Sequence, residues 1–150
     1  MANSIQYAKT QSTPSVKLNT NELAGRVRVA FAEYEASAEQ STVTMFTIPN
    51  GARLLSATVS HDQLAASTTT LSVGNGAYTD ADGTAVALDV DAYKAAAVAT
   101  SATSSDALVT MALGKNAVVN ANEDGLPVTV TIAAANGSGT IQLQMFYVLD

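Results

Sequence analysis

The chain contains one histidine, His61, and the next residue is Asp62, a pair of types that hydrolases use for general base catalysis. A hydrolase of that kind also needs a nucleophile, and the sequence has neither a cysteine nor a G-x-S-x-G motif. His61 stands at the end of a predicted strand. We therefore interpret it as a histidine at the surface or rim of the fold, and we predict no catalytic residue.

Four aspartates, Asp80, Asp82, Asp89 and Asp91, are spaced closely enough to suggest a Ca²⁺ site. The D-x-D-G spacing that ends at Gly83 opens an EF-hand loop, in which alternate carboxylates converge on one cation. The twelfth position of that loop is an aspartate where a bidentate glutamate is needed, and no helices are predicted on either side. The pattern favours a turn with solvated carboxylates, and we expect neither a metal ion nor a cofactor.

The same aspartates could also serve as a glycosidase pair, since such enzymes place two carboxyl groups roughly 5–9.5 Å apart. Sugar subsites usually add aromatic platforms, and only Tyr78 and Tyr93 lie nearby in the sequence. This alternative is therefore weak, and a divalent-metal hydrolase that uses the Asp80 to Asp91 segment is the remaining enzymatic hypothesis. Our prediction is that the protein is not an enzyme.

The composition limits the partners that the protein can bind. The chain has 150 residues, a formal net charge of −6, 47% apolar residues and 13% charged residues. Nucleic-acid binding needs clustered Lys and Arg, and the only close basic pair is Arg26 and Arg28. The first residues lack the basic and apolar regions of a secretion signal, and no apolar run approaches the roughly 18 residues of a membrane span. We expect no nucleic-acid or membrane partner and synthesis in a cytoplasm.

From Arg26 onward, the sequence around these candidate residues alternates between apolar and polar residues. Period two is typical of strands with one buried face. Val27, Val29 and Phe31 alternate with Arg28 and Ala30. The other alternating sets are Val43 and Met45; Leu55, Ala57 and Val59; Thr69, Leu71 and Val73; Val109, Met111 and Leu113; Val128, Val130 and Ile132; and Ile141, Leu143, Met145 and Tyr147.

Turn residues separate these sets, because glycine after Asn or Asp adopts positive φ without steric cost. The pairs are Asn50-Gly51, Asn75-Gly76, Asp82-Gly83, Asp124-Gly125 and Asn136-Gly137. Seven or more short strands with such turns predict an all-β, single-domain β-sandwich or jelly-roll-like fold. The alanine-rich segment from Asp89 to Thr100 is the exception and is interpreted as a helical turn or crossing loop, with a loop at Ser101 to Ser105.

The first 25 residues lack this period and contain Pro14. We predict an extended N-terminal arm over residues 1–25 that becomes ordered on a partner or a neighbouring subunit, and a β-sandwich domain over residues 26–150. A disordered tail is the alternative interpretation of the arm. Its isolated apolar residues are the candidate contacts with a partner: Ile5, Tyr7, Val16, Leu18 and Leu23.

Between Arg26 and Gly76 the order of motifs resembles a known family. The motifs are VRVAFA (Val27 to Ala32), the apolar strand from Met45 to Ile48, IPNGARL (Ile48 to Leu54) and TLSVG (Thr70 to Gly74). This order is similar to that of small structural proteins encoded near the major capsid protein in many tailed phages, the head decoration or capsid cement proteins. The likeness covers about a third of the chain, and its motifs are structural: Pro49 cannot donate to a ladder, and Asn50-Gly51 supplies the turn.

The resemblance implies a structural virion protein that binds the major capsid protein at the capsid surface and stabilises the phage head. It further implies a β-sandwich, a homotrimer, and assembly onto the head in the host cytoplasm. The alternative is another virion component of similar fold, such as a head-fibre, tail or adhesion module that binds a host-surface ligand. Few aromatic residues are present for sugar binding, which counts against a glycan ligand.

Overall fold

The computed structural model describes residues 25–65 and 68–149, together with isolated positions before residue 25. The chain forms eight strands and one short 3₁₀ helix within these ranges. In chain order these are β1 (Val27–Ile48), β2 (Arg53–His61), β3 (Thr70–Asn75), β4 (Tyr78–Thr79), β5 (Ala85–Val86), β6 (Asp89–Val98), β7 (Thr103–Ala107), the 3₁₀ helix (Met111–Leu113) and β8 (Leu126–Val148). No helix in the described part of the chain is long and apolar enough to cross a membrane.

Two long strands, β1 and β8, organise the molecule. They pair antiparallel along their whole length, from Val27 opposite Val148 to Ile48 opposite Leu126. The register shifts between Ala36 and Ser41, and on β8 this region contains Ala134 at φ 65° and Gly139 at φ 129°. Each long strand joins two of the shorter strands that the sequence predicts, because the bulges redirect the chain without ending the ladder.

The bulged region divides the sheet into two layers that share β1 and β8. In the first layer β8 lies between β1 and β2, and β7 pairs with the other edge of β2. In the second layer β8 lies between β1 and β3, and β6 pairs with the other edge of β3. One hydrophobic core contains buried residues from both layers. The predicted all-β, sandwich-like fold is confirmed.

The core consists of small and medium aliphatic side chains, as the composition suggests. Fully buried residues of the first layer include Val59, Leu143 and Met145, and those of the second include Leu71 and Val130. Burial of each such side chain contributes about 1.5–3 kcal/mol relative to exposure.

The predicted alternation in β1 is confirmed, but the expectation that its larger apolar residues form the buried face is wrong. Ala36 is buried and Ala30 packs against the core, whereas Val27, Val29 and Phe31 point outward and are exposed. The bulges decide this face, because a shift of one residue exchanges the two faces of a strand.

The expected helical turn or crossing loop at Asp89 to Thr100 is also wrong. Residues Asp89–Val98 form β6, whose backbone pairs with β3. The high helix propensity of alanine is weaker than the gain from completing the ladder at this sheet edge. The loop expected at Ser101 to Ser105 is wrong in its second part, where β7 begins at Thr103.

The strand predicted at Val109, Met111 and Leu113 is replaced by the 3₁₀ helix. The Thr110 hydroxyl accepts a hydrogen bond from the Leu113 N–H at 3.3 Å, and Gly114 ends the helix at φ 83°. Three of the predicted turns are confirmed, with Gly51, Gly83 and Gly125 at positive φ. The other two are wrong, because Asn75 ends β3 without a turn and Asn136-Gly137 lies within β8.

Candidate functional site

His61 and Asp62 line an open cleft of about 350 Å³ at one end of the first layer. Its other lining residues are Glu33, Ser60, Thr103, Thr140 and Gln142. The His61 Nδ1 atom lies 2.7 Å from the backbone oxygen of Asp62, and the Ser60 hydroxyl donates to Ser104 at 2.9 Å. The neighbouring serine is therefore bonded away from the imidazole, and the arrangement does not assemble a nucleophile, a base and an orienting carboxylate.

The four aspartates of the candidate cation site are used in local turns. The Asp80 carboxylate accepts hydrogen bonds from the N–H groups of Asp82 at 3.0 Å and Thr84 at 2.7 Å. The Asp89 carboxylate accepts from the Asp91 N–H at 3.3 Å. Among the described residues, no three His, Asp or Glu side chains come together in an arrangement that could hold a metal ion.

The aromatic platform needed by a glycosidase is not available at Tyr93. This side chain is buried, at 7% exposure, and burial raises the pKa of its phenol well above its usual value. The Tyr93 ring lies beside Gly114, which follows the 3₁₀ helix, and it does not face solvent. The hypothesis of a sugar subsite between Tyr78 and Tyr93 loses one of its two rings.

The candidate contacts of the N-terminal arm all lie outside the described residues. They are Ile5, Tyr7, Val16, Leu18 and Leu23. Their role as contacts, and the arm itself, stay predictions.

The outward surface of the first layer, which we call the first-layer face, changes from apolar to polar residues along its strands. Residues opposite one another on neighbouring antiparallel strands share a face, so the register defines rows across it. In one row, Val29 of β1 lies opposite Phe146 of β8, and Phe146 lies opposite Ser56 of β2, so two of the three residues are apolar. The next joins Phe31, Gln144, Thr58 and Asp106, and the third joins Glu33, Gln142, Ser60 and Ser104.

The polar rows of this face are held by hydrogen bonds between strands. Gln142 donates from Nε2 to Glu33 Oε2 at 2.7 Å, and the Thr140 hydroxyl donates to Glu35 Oε2 at 2.8 Å. The Thr140 N–H donates to the Asp62 carboxylate at 3.2 Å. These contacts orient the acidic side chains of β1 and of the β2 end, so the polar part of the face is preorganised.

The apolar end of the face is open to solvent. Val27 is 63% exposed, Val29 is 55% exposed and Phe31 is 59% exposed. Soluble proteins seldom place adjacent large apolar side chains outward unless the patch is a site of interaction. This is the surface with the clearest functional chemistry in the described part of the chain.

Sequence reasoning did not identify this surface, although β1 carries a signal for it. Between Val27 and Ala36 the odd positions hold Val, Val and Phe followed by two Glu, while the even positions hold Arg followed by Ala, Ala, Tyr and Ala. Both faces of the strand therefore contain apolar residues, and a strand at the edge of a layer buries one of them. The other face must remain exposed or be covered by another segment or a partner.

Comparison with known proteins gives a match of fold. No family model and no curated protein matches the sequence. Among solved structures, the chain is similar to a chain of the capsid of Ralstonia phage GP4, with 24% identity, a TM-score of 0.63, and coverage of 84% of this chain and 86% of that chain. A chain of the cyanophage Pam1 capsid asymmetric unit gives 23% identity, a TM-score of 0.58 and coverage of 84% and 86%.

A third match is a chain of the acid-stable capsid of Helicobacter pylori bacteriophage KHP30. It gives 17% identity, a TM-score of 0.51, and coverage of 82% of this chain and 87% of that chain. The three matches span most of both chains in each pair. The layered all-β architecture described above is therefore a fold that also occurs in chains of phage capsid structures.

Proposed function

We propose that this protein is a structural component of a phage virion, a capsid decoration or cement protein that binds the major capsid protein and stabilises the head. The observation that carries the proposal is the shared fold: chains in three phage capsid structures match more than four-fifths of this chain, and the match covers more than four-fifths of each of them. The motif order from Val27 to Gly74, which resembles the decoration family, points the same way.

The surface chemistry supports a binding protein. The first-layer face presents Val27, Val29 and Phe31 to solvent, whereas the groups that resemble catalytic residues are bonded within turns or to neighbouring strands. A surface of this kind stabilises an assembly by burying apolar area. The proposed role needs no cofactor and no catalytic residue.

In this proposal the domain sits on the capsid surface as a homotrimer, after assembly in the host cytoplasm. The N-terminal arm, residues 1–25, contacts neighbouring capsid subunits through Ile5, Tyr7, Val16, Leu18 and Leu23. An arm that orders on binding spans a wide surface, although ordering its backbone costs part of the interaction free energy.

Recruitment to capsids tests the proposal. Expanded capsids prepared without this protein are mixed with the full chain, sedimented, and heated to measure the temperature of capsid disruption. We expect saturable binding and a higher disruption temperature. If the capsids neither bind the protein nor gain resistance to heat, the proposed function is wrong.

A matched pair of variants tests the arm separately. In one variant the five apolar arm residues are changed to Ser, and in the control the polar residues Gln6, Thr10 and Thr13 are changed to Ser. We expect the first variant to bind capsids at least about tenfold more weakly, as the loss of a few buried apolar contacts implies. Equal binding of both variants, with unchanged β circular dichroism, would remove the arm from the interface.

The second hypothesis, a head-fibre, tail or adhesion module with a host-surface ligand, has less support. The chain has few aromatic residues that could stack on a sugar, and Tyr93 is buried. Binding of the purified protein to a glycan array, without recruitment to capsids, would favour it.

A further inference from the structure

The strand β1 lies at the edge of both layers. Because β8 separates it from the shorter strands, only one side of β1 is paired. Within the described residues, the backbone of β1 makes hydrogen bonds to the backbone of β8 and to no other segment. An edge strand of this kind presents a row of N–H and C=O groups that can bond to another strand. We call the unpaired side of β1 from Val27 to Glu35 the β1 edge.

The other edge strands of the large sheet, β6 and β7, are less suited to pairing with another chain. β7 is short and polar and contains the exposed Asp106. β6 is bonded near its middle by the Leu108 N–H, which donates to the Tyr93 backbone oxygen at 3.0 Å. The β1 edge is longer, contains no proline, and keeps an unbroken register with β8 up to Ala36. It lacks the devices with which proteins usually block an edge.

The side chains of the β1 edge define the strand that would fit beside it. On its outward face Val27, Val29 and Phe31 are all more than half exposed, and the exposed Glu33 and Glu35 follow them. Residues opposite one another on neighbouring antiparallel strands share a face, with Cβ atoms about 5 Å apart. A matching strand therefore has apolar side chains beside the first three residues and basic side chains beside the two glutamates.

The two glutamates are oriented by β8 and still have capacity to bind. Gln142 donates to Oε2 of Glu33 at 2.7 Å, and Thr140 donates to Oε2 of Glu35 at 2.8 Å. Within the described part of the chain, neither Oε1 atom accepts a hydrogen bond. A carboxylate can accept bonds at both oxygens, so each Oε1 atom is available to a Lys or Arg of an added strand.

A second copy of this chain does not match the β1 edge. Two copies of β1 can pair antiparallel around a two-fold axis, which sets residues of one face opposite residues of the same face. For any position of that axis, the residue opposite Glu33 has an odd number. The odd-numbered residues from Val27 to Glu35 are apolar or acidic, and Arg28 lies on the other face. Self-pairing thus leaves the glutamates without a basic partner.

We propose that the β1 edge binds an extended segment of the major capsid protein as an additional strand of the sheet. This segment has basic residues beside Glu33 and Glu35 and apolar residues beside Val29 and Phe31. Backbone hydrogen bonds supply affinity, and the alternating side chains supply selectivity. The net charge of −6 favours a basic partner. The inference rests on the proposed function and deepens it, since it names the kind of capsid segment that the domain recognises.

Hydrogen exchange of the full chain, free and bound to expanded capsids, tests the backbone pairing. About half of the β1 amides point away from β8 and exchange fast in the free protein. We expect the exchange of these amides between Val27 and Glu35 to slow by at least about tenfold on the capsid, and the amides of Thr103–Ala107 in β7 to be unchanged.

The outcomes separate this inference from the proposed function. If capsids bind the protein and the β1 amides still exchange fast, the inference is wrong and the proposed function stands. If capsids do not bind the protein, both are wrong. Slow exchange of the same amides in the free protein also overturns the inference, because a second copy or the N-terminal arm then occupies the edge.

A pair of double variants tests the match of side chains. Glu33→Lys with Glu35→Lys should raise the Kd for capsids by about tenfold or more, because like charges then face each other. Asp91→Lys with Asp106→Lys changes the net charge equally at exposed positions of β6 and β7 and should bind as the wild type does. Equal Kd values for the two double variants, both folded by circular dichroism, overturn the inference. If the first variant does not fold, the exchange measurement decides alone.

Discussion

The two halves of β1 pair with the same strand, β8, and yet use their apolar residues in opposite ways. In the first layer Val29 and Phe31 point outward, and the smaller Ala30 and Ala36 point toward the core. In the second layer Val43 packs against the core, and Thr42 and Thr44 are exposed. The register shifts between Ala36 and Ser41 separate the two arrangements. The comparison shows that a bulge can turn an apolar set of residues from the core side of a strand to its exposed side.

The outer sides of the two layers differ in the same way. On the second layer the chain covers itself: the Asp89 to Asp91 backbone passes over Gly74, and the Ser72 hydroxyl donates to the Val90 backbone oxygen at 2.8 Å. Thr129 is only 1% exposed there. On the first layer no described residue covers Val29 in this way, and Val29 is 55% exposed. Within the described part of the chain, one outer face is covered and the other is open.

The largest expected effect tests the covered side of the second layer. A Cβ at Gly74 would lie 2.0 Å from the Asp89 backbone oxygen, so Gly74→Ala should lower the free energy of unfolding by about 3 kcal/mol or more. The control is Gly83→Ala, where nothing lies within 4 Å and only the φ of 86° opposes the change, at about 1–2 kcal/mol. Urea unfolding of both variants measures the difference, and equal losses would mean that the crossing of β6 over Gly74 is wrong.

A pair of phenylalanines on β1 compares the two layers directly. Phe46 packs against the core in the second layer, so Phe46→Ala should destabilise the fold by about 2–3 kcal/mol. Phe31 is 59% exposed, and Phe31→Ala should cost less than about 1 kcal/mol in dilute solution. Denaturant unfolding at low protein concentration checks this order. A larger loss at Phe31 would place that residue in the core and contradict the outward face.

The smallest effect concerns two tyrosines and alkaline pH. Burial raises the pKa of Tyr93 in the second layer, so its neutral form stabilises the fold, and this stability is lost as pH rises above about 10, at no more than about 1.4 kcal/mol per pH unit. In the first layer, the hydrogen bond to Glu39 raises the pKa of the half-buried Tyr34. Tyr93→Phe should flatten the alkaline loss of unfolding free energy measured from pH 9 to 11, and Tyr34→Phe should flatten it less. An unchanged slope for Tyr93→Phe would contradict the burial.

The fold class was predictable because strand periodicity and turn residues are local features. The alternation around Val130 and Leu143, and the positive-φ glycines at Gly51 and Gly125, occur where the sequence predicts them. The errors fall where tertiary pairing outweighs local preference. The alanine-rich β6 has the propensity of a helix, but the edge of β3 offers its backbone a complete ladder. Asn136-Gly137 has the chemistry of a hairpin turn, but β8 continues through it because β1 pairs on both sides.

The candidate site was less predictable than the fold. His61 and the aspartates drew attention because of their residue types, whereas the first-layer face consists of ordinary β-sheet residues such as Val29 and Gln144. Only the register shows that Glu33, Gln142 and Ser60 form one row. Residues that are far apart in sequence share a surface through pairing, and a single sequence does not carry that information.

The sequence by itself determined that this protein is all-β from Arg26 onward, with a thin aliphatic core and few charged residues. These properties follow from composition and from the two-residue repeat of a strand, which are local. Only the tertiary structure decided which apolar face of β1 is buried. Both faces are hydrophobic enough to be buried, and the choice depends on the bulges of two long strands and on whether Ala30 or Val29 fits the space against the core. Packing made that choice, and it left Val27, Val29 and Phe31 on the outside.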